Sequence, residues 1–176
     1  MANVTHAQCR ALKDYAPAYM WRIRWLTTPS GVSVPADFNL RCRSSGVPKR
    51  EAMQMAEVVV HAQKRRLPGI EHTAGQITLT CTETVDNTIR RMLNNLREVN
   101  RANETHHALT FAQAASSVEL IQMDRGGRDI MSWKLIECFV EDEEAGSDFT
   151  DGESTAYFTD YAITLSYSHF TKTFLA

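Results

Sequence analysis

The chain has 176 residues, of which 43% are hydrophobic and 23% are charged, and its formal net charge at pH 7 is −2. This length is sufficient for a real hydrophobic core, and we expect a single domain over residues 1–176. The near-neutral charge argues against a dedicated nucleic-acid binder, because such domains are usually clearly basic.

The four cysteines, Cys9, Cys42, Cys81 and Cys138, are widely spaced. Without a Cys-X-X-Cys pair they do not predict a closed zinc site. The first residues lack the apolar segment of a signal peptide, and no window approaches about 18 consecutive apolar residues. We therefore expect an intracellular, mostly reduced protein without a membrane span.

The first predicted elements form a hairpin. Apolar and polar residues alternate in Tyr19–Leu26, which predicts a strand. Thr27–Asp37 contains two prolines and a glycine and predicts a turn. Alternation in Phe38–Arg43 then predicts the second strand of the hairpin.

Two long loops are predicted next, at Ser44–Met55 and Lys64–Ala74, on either side of a valine-rich strand, Ala56–Gln63. Both loops carry basic residues and contain few core residues. Long loops in a compact domain are usually functional.

The stretch Gly75–Ala102 predicts a strand followed by a helix. In Gln76–Cys81 apolar residues alternate with threonines, as in a strand buried on one side. After Thr84 the period becomes that of an amphipathic helix, with Asp86 as the expected N-cap. The predicted apolar stripe comprises Val85, Ile89, Met92, Leu93, Leu96 and Val99. We expect this one main helix to pack on sheets.

The last third of the chain predicts a second hairpin and a long strand. Ser117–Met123 and Ile130–Val140 flank Gly126-Gly127, a strong hairpin turn signal. Residues 141–153 form an acidic block that predicts a solvated loop. Tyr157–Phe170 predicts a long strand with apolar and polar faces.

No motif predicts catalysis. The sequence lacks a nucleophile elbow, an HExxH motif and a glycine-rich phosphate loop. His106-His107 is poorly spaced for one metal ion, and the acidic block lacks the ligand spacing of a calcium loop. We therefore expect no enzyme activity, no cofactor and no metal site.

An ordered set of local patterns carries a resemblance to a known family. The patterns are Phe38–Pro48 with its Gly-Val-Pro break, Leu67-Pro68-Gly69, the strand-to-helix stretch Gln76–Leu96, Trp133–Cys138 and the alternating strand Ala162–Tyr167. In this order, over residues 19–170, the chain resembles the tail tube proteins of contractile-tailed bacteriophages. The hemolysin-coregulated tube protein of type VI secretion shares their architecture.

The resemblance implies a mainly β fold with one main helix, a β-sandwich or partial barrel that closes into a 24-stranded barrel as a hexameric ring. Stacked rings would form the inner tail tube, the conduit for DNA ejection into the host. The implied partners are the tail sheath protein, baseplate and tail terminator proteins, and the tape measure protein and genomic DNA in the lumen. Assembly would take place in the host bacterial cytoplasm, without membrane binding, and the product would be part of the virion.

The resemblance also implies candidate contact residues. Inter-ring candidates are Lys49, Arg50, Lys64, Arg65, Arg66, Glu141, Asp142, Glu143 and Glu144. Sheath-facing candidates are Arg90, Asn94, Arg97 and Arg101. Lumen-facing candidates are Thr78, Thr80, Thr164, Ser166 and Ser168. Arg41 and Arg43 argue against a lumen position for their strand unless acidic neighbours pair with them, and Cys9 is a candidate for an intersubunit cross-link.

Two alternatives remain open from the sequence. One is a tube protein of a type VI secretion-like system or a baseplate tube initiator, which would have the same architecture. The other is a β-sandwich binding module or enzyme, which would be a monomer with a closed sheet.

Overall fold

The computed structural model describes residues 17–49, 55–60, 63–69, 73–100, 110–145 and 160–175. Within these ranges the strands are β1 (Trp21–Thr27), β2 (Cys42–Ser45), β3 (Met55–Val60), β4 (Gln63–Pro68), β5 (Gly75–Thr82), β6 (Ser116–Met123), β7 (Asp129–Ala145) and β8 (Asp160–Phe174). The helices are α1 (Phe38–Arg41), α2 (Thr88–Asn100) and α3 (Phe111–Ala114).

Six of these strands form one antiparallel sheet in the order β1-β6-β7-β8-β5-β2. The sheet is curled into a half-barrel, and its edges are β1 and β2. Strands β3 and β4 pair only with each other among the described residues and form a separate hairpin. For the described residues, the prediction of a mainly β fold with one main helix is confirmed.

The core lies on one face of the curled sheet. In β5 and β8 alternate residues are buried, and Ile77 pairs with Leu165 while Leu79 pairs with Ile163. Helix α2 covers this face with the predicted residues Ile89, Met92, Leu93 and Leu96, each at most 2% exposed. Each fully buried aliphatic side chain contributes about 1.5–3 kcal/mol before entropy.

Helix α2 begins later than predicted. Its first residue is Thr88, so the expected N-cap, Asp86, lies outside the helix and is exposed. Val85, placed in the apolar stripe by its spacing, is 97% exposed. The prediction fails there because Asn87, with φ 50°, takes a left-handed conformation and breaks the helical path.

The predicted strand Phe38–Arg43 is wrong. Its first four residues form α1, and β2 begins only at Cys42. The N–H groups of Leu40 and Arg41 both donate to the carbonyl of Asp37, and the Arg41 side chain pairs with the Asp37 carboxylate. Three alternating apolar residues are too few to distinguish a strand from one helical turn. The hydrogen bonds to Asp37 therefore determine the conformation of this segment.

Two of the predicted loops, Lys64–Ala74 and the acidic block at 141–153, are partly wrong as well. Lys64–Ala74 was expected to be irregular, but Gln63–Pro68 forms β4 and pairs along its length with Met55–Val60. The acidic block also begins as a strand, since β7 continues to Ala145, which pairs with Tyr161. The exposed charged residues Lys64, Arg65 and Arg66 on β4, and Glu141 and Asp142 on β7, give these strands the polar composition of loops.

The predicted turn at Gly126-Gly127 joins β6 and β7. Gly127 has φ 80°, a conformation that glycine adopts without steric cost. The N–H of Gly127 donates to the carbonyl of Asp124, and the Asp124 carboxylate accepts bonds from the backbone N–H and side chain of Arg128. The turn thus fixes the register of the β6–β7 hairpin.

Candidate functional site

The face of the sheet opposite the core is polar. Thr78 and Thr164 are register partners on this face, and Ser166 is the partner of Gln76. Thr78 and Ser168 are exposed, whereas Thr80, Thr164 and Ser166 are half-buried. All five lumen candidates therefore avoid the core, on the side of the sheet that α2 does not cover.

Three arginines on this polar face are paired with carboxylates of the same chain. Arg22 lies 2.7 Å from Asp129, and Arg24 lies 2.6 Å from Glu119. The guanidinium of Arg43 lies 3.4 Å from the carboxylate of Asp160.

Arg43 therefore has the acidic neighbour with which a lumen position of its strand is compatible. An arginine paired with a carboxylate attracts phosphates less than a free arginine does. Arg41 takes no part in these three charge pairs. Its side chain bonds to Asp37, just before α1, to Thr84, and to Thr88, the first residue of α2.

A groove of about 540 Å³ runs along β1, an edge strand of the described sheet. Its walls are β1 and the segment 32–39, and the backbone N–H of Ile23 donates to the side-chain carbonyl of Asn39 at 2.7 Å. The indole N–H of Trp25 is buried in this region and has no partner among the described residues. The β1 edge is thus shielded at Ile23, and it has no partner strand among the described residues.

The β3–β4 hairpin carries an unusual set of exposed residues. Glu57 lies 3.2 Å from Arg66 and 3.7 Å from Lys64, so the two basic residues are paired within the hairpin. Four apolar side chains of the hairpin are also exposed, namely Met55, Val58, Val59 and Leu67. Because an isolated two-stranded hairpin is at best marginally stable in water, this one needs a contact partner.

The described inter-ring candidates occupy three separate places. Lys49 is exposed after β2, and Lys64, Arg65 and Arg66 are exposed on β4. The acidic candidates are on β7, where Glu141 accepts a bond of 2.6 Å from Gln76. Glu143 and Glu144 belong to β7 by their backbone, and Arg50 lies outside the described residues.

Of the sheath candidates, Arg90 and Asn94 are exposed on α2. Arg97 is half-buried and lies 3.7 Å from the carboxylate of Asp142, so it links α2 to β7. Arg101 and Cys9 lie outside the described residues.

Sequence reasoning missed the buried carboxylate of Glu83. It accepts a bond of 2.8 Å from the backbone N–H of Arg90 and one of 2.9 Å from the N–H of Thr84. Glu83 thus caps α2 in place of Asp86. A glutamate directly after a strictly alternating strand and just before a helix was the available signal.

Within the described part of the chain, no cluster of three or more histidine, cysteine, aspartate or glutamate side chains has the geometry to hold a metal ion. None of the described helices has the length and apolarity needed to cross a membrane.

No protein-family model matches the sequence, and no curated protein matches it either. Solved structures do match. A chain of the sheath-tube complex of an extracellular contractile injection system, PVC, has a TM-score of 0.64 at 14% identity, covering 98% of this chain and 100% of that chain. A chain of the tube-terminating cap of the anti-feeding prophage has a TM-score of 0.62 at 16% identity, with coverages of 93% and 94%.

The tail tube of SPP1 matches with a TM-score of 0.54 at 10% identity, covering 91% of this chain and 80% of that chain. At these identities the likeness concerns the fold. The chain therefore has a fold of the tail-tube type, the same type that these injection-system and phage tail structures contain.

Proposed function

We propose that the chain is a wall subunit of a tail tube, a structural virion protein whose hexameric rings stack into the inner tube of a contractile tail. One observation carries this proposal. A curled sheet of the tail-tube type has one polar face without a helix on it and two edge strands that lack a second partner within the described chain. Exposed strand edges promote pairing with other chains, and a closed ring of subunits satisfies them.

The 24-stranded barrel expected from the resemblance would take four strands from each of six copies. The described sheet has six strands, so two strands of each copy would lie outside the lumen wall. Each ring would close by heterologous contacts, in which one edge of a copy meets a different edge of the next.

The lumen would be lined by the hydroxyl face that contains Thr78, Thr80, Thr164, Ser166 and Ser168. Hydroxyl groups and paired charges hold phosphates weakly, which suits passage of the tape measure protein and then of genomic DNA. The charge pairs Arg22–Asp129 and Arg24–Glu119 support this assignment.

The β3–β4 hairpin would reach the next ring, and the exposed face of α2 would face the sheath. The hairpin is separate from the main sheet and exposes four apolar side chains, as a contact element does. Basic residues of the hairpin and Lys49 would meet the acidic end of β7 on a neighbouring copy. Arg90 and Asn94 would contact the sheath, whereas Arg97 is already paired with Asp142.

Negative-stain electron microscopy of the purified full chain tests the proposal. Rings with a central hole, or tubes formed by stacked rings, are the expected result. A monodisperse monomer at a concentration of about 100 μM would contradict it. The dissociation constant of the subunit contact would then exceed about 100 μM, and so weak a contact would not hold a ring together.

A tube-terminating or cap protein is the second candidate. Two of the matched structures contain such chains, the anti-feeding prophage cap and the PVC sheath/tube terminator, the latter with a TM-score of 0.62. A terminator would form single rings and would stop tube growth. Tubes of indefinite length from the purified chain would exclude this candidate and support the wall subunit.

A further inference from the structure

Two thiols of the main sheet face each other across an edge strand. Cys42 on β2 and Cys81 on β5 are register partners, and their Sγ atoms are 2.9 Å apart. A disulfide bond has a length of about 2.05 Å, so the two sulfur atoms need to approach by less than about 1 Å. Cys81 is fully buried, whereas Cys42 is half-buried at the margin of the sheet.

We propose that Cys42 and Cys81 form an intrachain disulfide when the protein is exposed to an oxidising medium. This bond links the edge strand β2 covalently to β5. This inference concerns a modification of the subunit itself, and it goes beyond tube assembly. It applies whether the protein is a wall subunit or a terminator.

The backbone geometry is compatible with the bond. Directly opposed residues of an antiparallel pair have Cα atoms about 4.5–5.5 Å apart, within the range of about 4.4–6.8 Å found in disulfides. Side-chain rotation is then sufficient and the strands stay in place. The third described cysteine, Cys138, is opposite Tyr167 on β8 and has no such partner across the strand pair.

The bond forms by two thiol–disulfide exchanges with a low-molecular-weight disulfide such as oxidised glutathione. The Cys42 thiolate attacks a sulfur of glutathione disulfide, a mixed disulfide forms, and one glutathione thiolate leaves. The Cys81 sulfur then attacks the Cys42 sulfur and expels the second glutathione. The two protons lost by the protein thiols end on the two reduced glutathione molecules, and the protein loses two electrons.

The order of attack follows from the environment of each thiol. The hydrogen bond with Cys42, burial, and the nearby charges of Cys42, Glu83 and Asp160 raise the pKa of the Cys81 thiol. Cys81 is thus a poor first nucleophile and is shielded from an external disulfide. Cys42 is accessible at the edge of the sheet and reacts first.

The bond has a mechanical consequence for the sheet margin. Strand β2 has four residues and three register pairs with β5, the first of which is Cys42 with Cys81. The ladder is irregular directly after this pair, between Cys42 and Ser44. The two cysteines are 39 positions apart, and the chain between them includes the β3–β4 hairpin. A covalent link would therefore hold a weakly paired edge and restrict a long loop.

The test uses the full chain treated with oxidised glutathione, followed by alkylation of free thiols, peptide mapping and calorimetry. The expected product contains a Cys42–Cys81 link and unfolds about 5–10 °C higher than the reduced protein, a shift that dithiothreitol reverses. Cys9→Ser should give the same shift. Cys42→Ala should unfold at nearly the temperature of the reduced wild type and show no shift on oxidation.

Three results would overturn the inference. Both Cys42 and Cys81 could remain open to alkylation after oxidation and unfolding, glutathione could stay attached to Cys42, or the link could form through Cys9 or Cys138. In the third case Cys9→Ser or Cys138→Ala would abolish the shift, whereas neither change abolishes the shift of a Cys42–Cys81 link. Ring formation is not measured in this experiment, so its outcome is independent of the proposed function.

Discussion

The Arg41 guanidinium lies 3.4 Å from the carboxylate of Glu83, a side chain that is almost completely buried. The contact joins α1 to the segment that starts α2, because Glu83 also caps the N–H of Arg90. Arg41 in addition donates to the hydroxyl groups of Thr84 and Thr88 at 2.7 and 2.6 Å. These bonds set where α2 begins and keep it on the core face of the sheet.

Glu83→Ala should destabilise the subunit by about 2–4 kcal/mol, since it removes a helix cap and leaves a largely buried guanidinium with fewer partners. The matched control is Glu98→Ala, on the exposed side of the same helix, which should cost less than about 0.5 kcal/mol. Urea unfolding followed by circular dichroism measures both. Equal effects of the two variants would show that Glu83 does not hold α2.

Leu93→Ala should cost about 2–5 kcal/mol, because Leu93 is fully buried between α2 and the sheet and the change leaves a cavity. Val85→Ala should cost less than about 0.5 kcal/mol, because Val85 is 97% exposed. Thermal unfolding of the two variants in the same oligomeric state makes the comparison. A large effect of Val85→Ala would instead place that residue in the helix–sheet contact predicted by its spacing.

The turn between β6 and β7 should contribute to the free energy of unfolding at neutral pH, and this contribution should be lost at acidic pH. Hydrogen bonds from Arg128, first from its backbone N–H, lower the pKa of the Asp124 carboxyl below its ordinary value. A group whose pKa is lowered on folding stabilises the fold above its ordinary pKa, and this contribution is lost as the pH falls through the lowered pKa.

Below about pH 4 the stability of the wild type should therefore fall more steeply than that of Asp124→Asn, and NMR titration of the Asp124 carboxyl should give a low pKa. If the free energies of unfolding of the two proteins change in parallel with pH, the Asp124 carboxylate does not stabilise the turn.

Arg65→Glu should prevent ring stacking while it leaves single rings intact, if the hairpin contacts the acidic end of a neighbouring β7. Arg65 is opposite Val58, so its reversal leaves the ion pair of Glu57 with Arg66 unchanged. Arg66→Glu places two acidic residues directly opposite each other and should loosen the hairpin as well. Electron microscopy should show isolated rings for Arg65→Glu.

The matched control for stacking is Arg90→Glu, which reverses an exposed charge on α2, away from the hairpin. It should still form tubes as long as those of the wild type. Long tubes of Arg65→Glu would exclude this residue from the inter-ring contact.

Periodicity predicted the parts of the fold in which burial alone decides side-chain direction. Alternation located β1 and β5, and the helical stripe from Ile89 to Leu96 located the buried face of α2. The same reasoning placed Thr78 and Thr164 together on a polar face, where the register makes them partners. These periodic patterns are visible in the sequence because each side chain in the element is either buried in the core or exposed to solvent.

The rest depends on contacts that are distant along the chain. Strand β4 contains Lys64, Arg65 and Arg66 and is exposed on both faces, so it has no burial pattern. Glu83 became a cap because Arg41, 42 residues away in sequence, lies beside it. Spacing within a single segment contains no information about either contact.

Cryo-electron microscopy of the assembled full chain would show directly how neighbouring subunits join. The expected result is a ring of six copies, in which a strand edge without a partner among the described residues forms backbone hydrogen bonds with the neighbouring copy. Thr78 and Thr164 should line the central hole. Copies that touch only through side chains, or a hole lined by the face that carries α2, would contradict it.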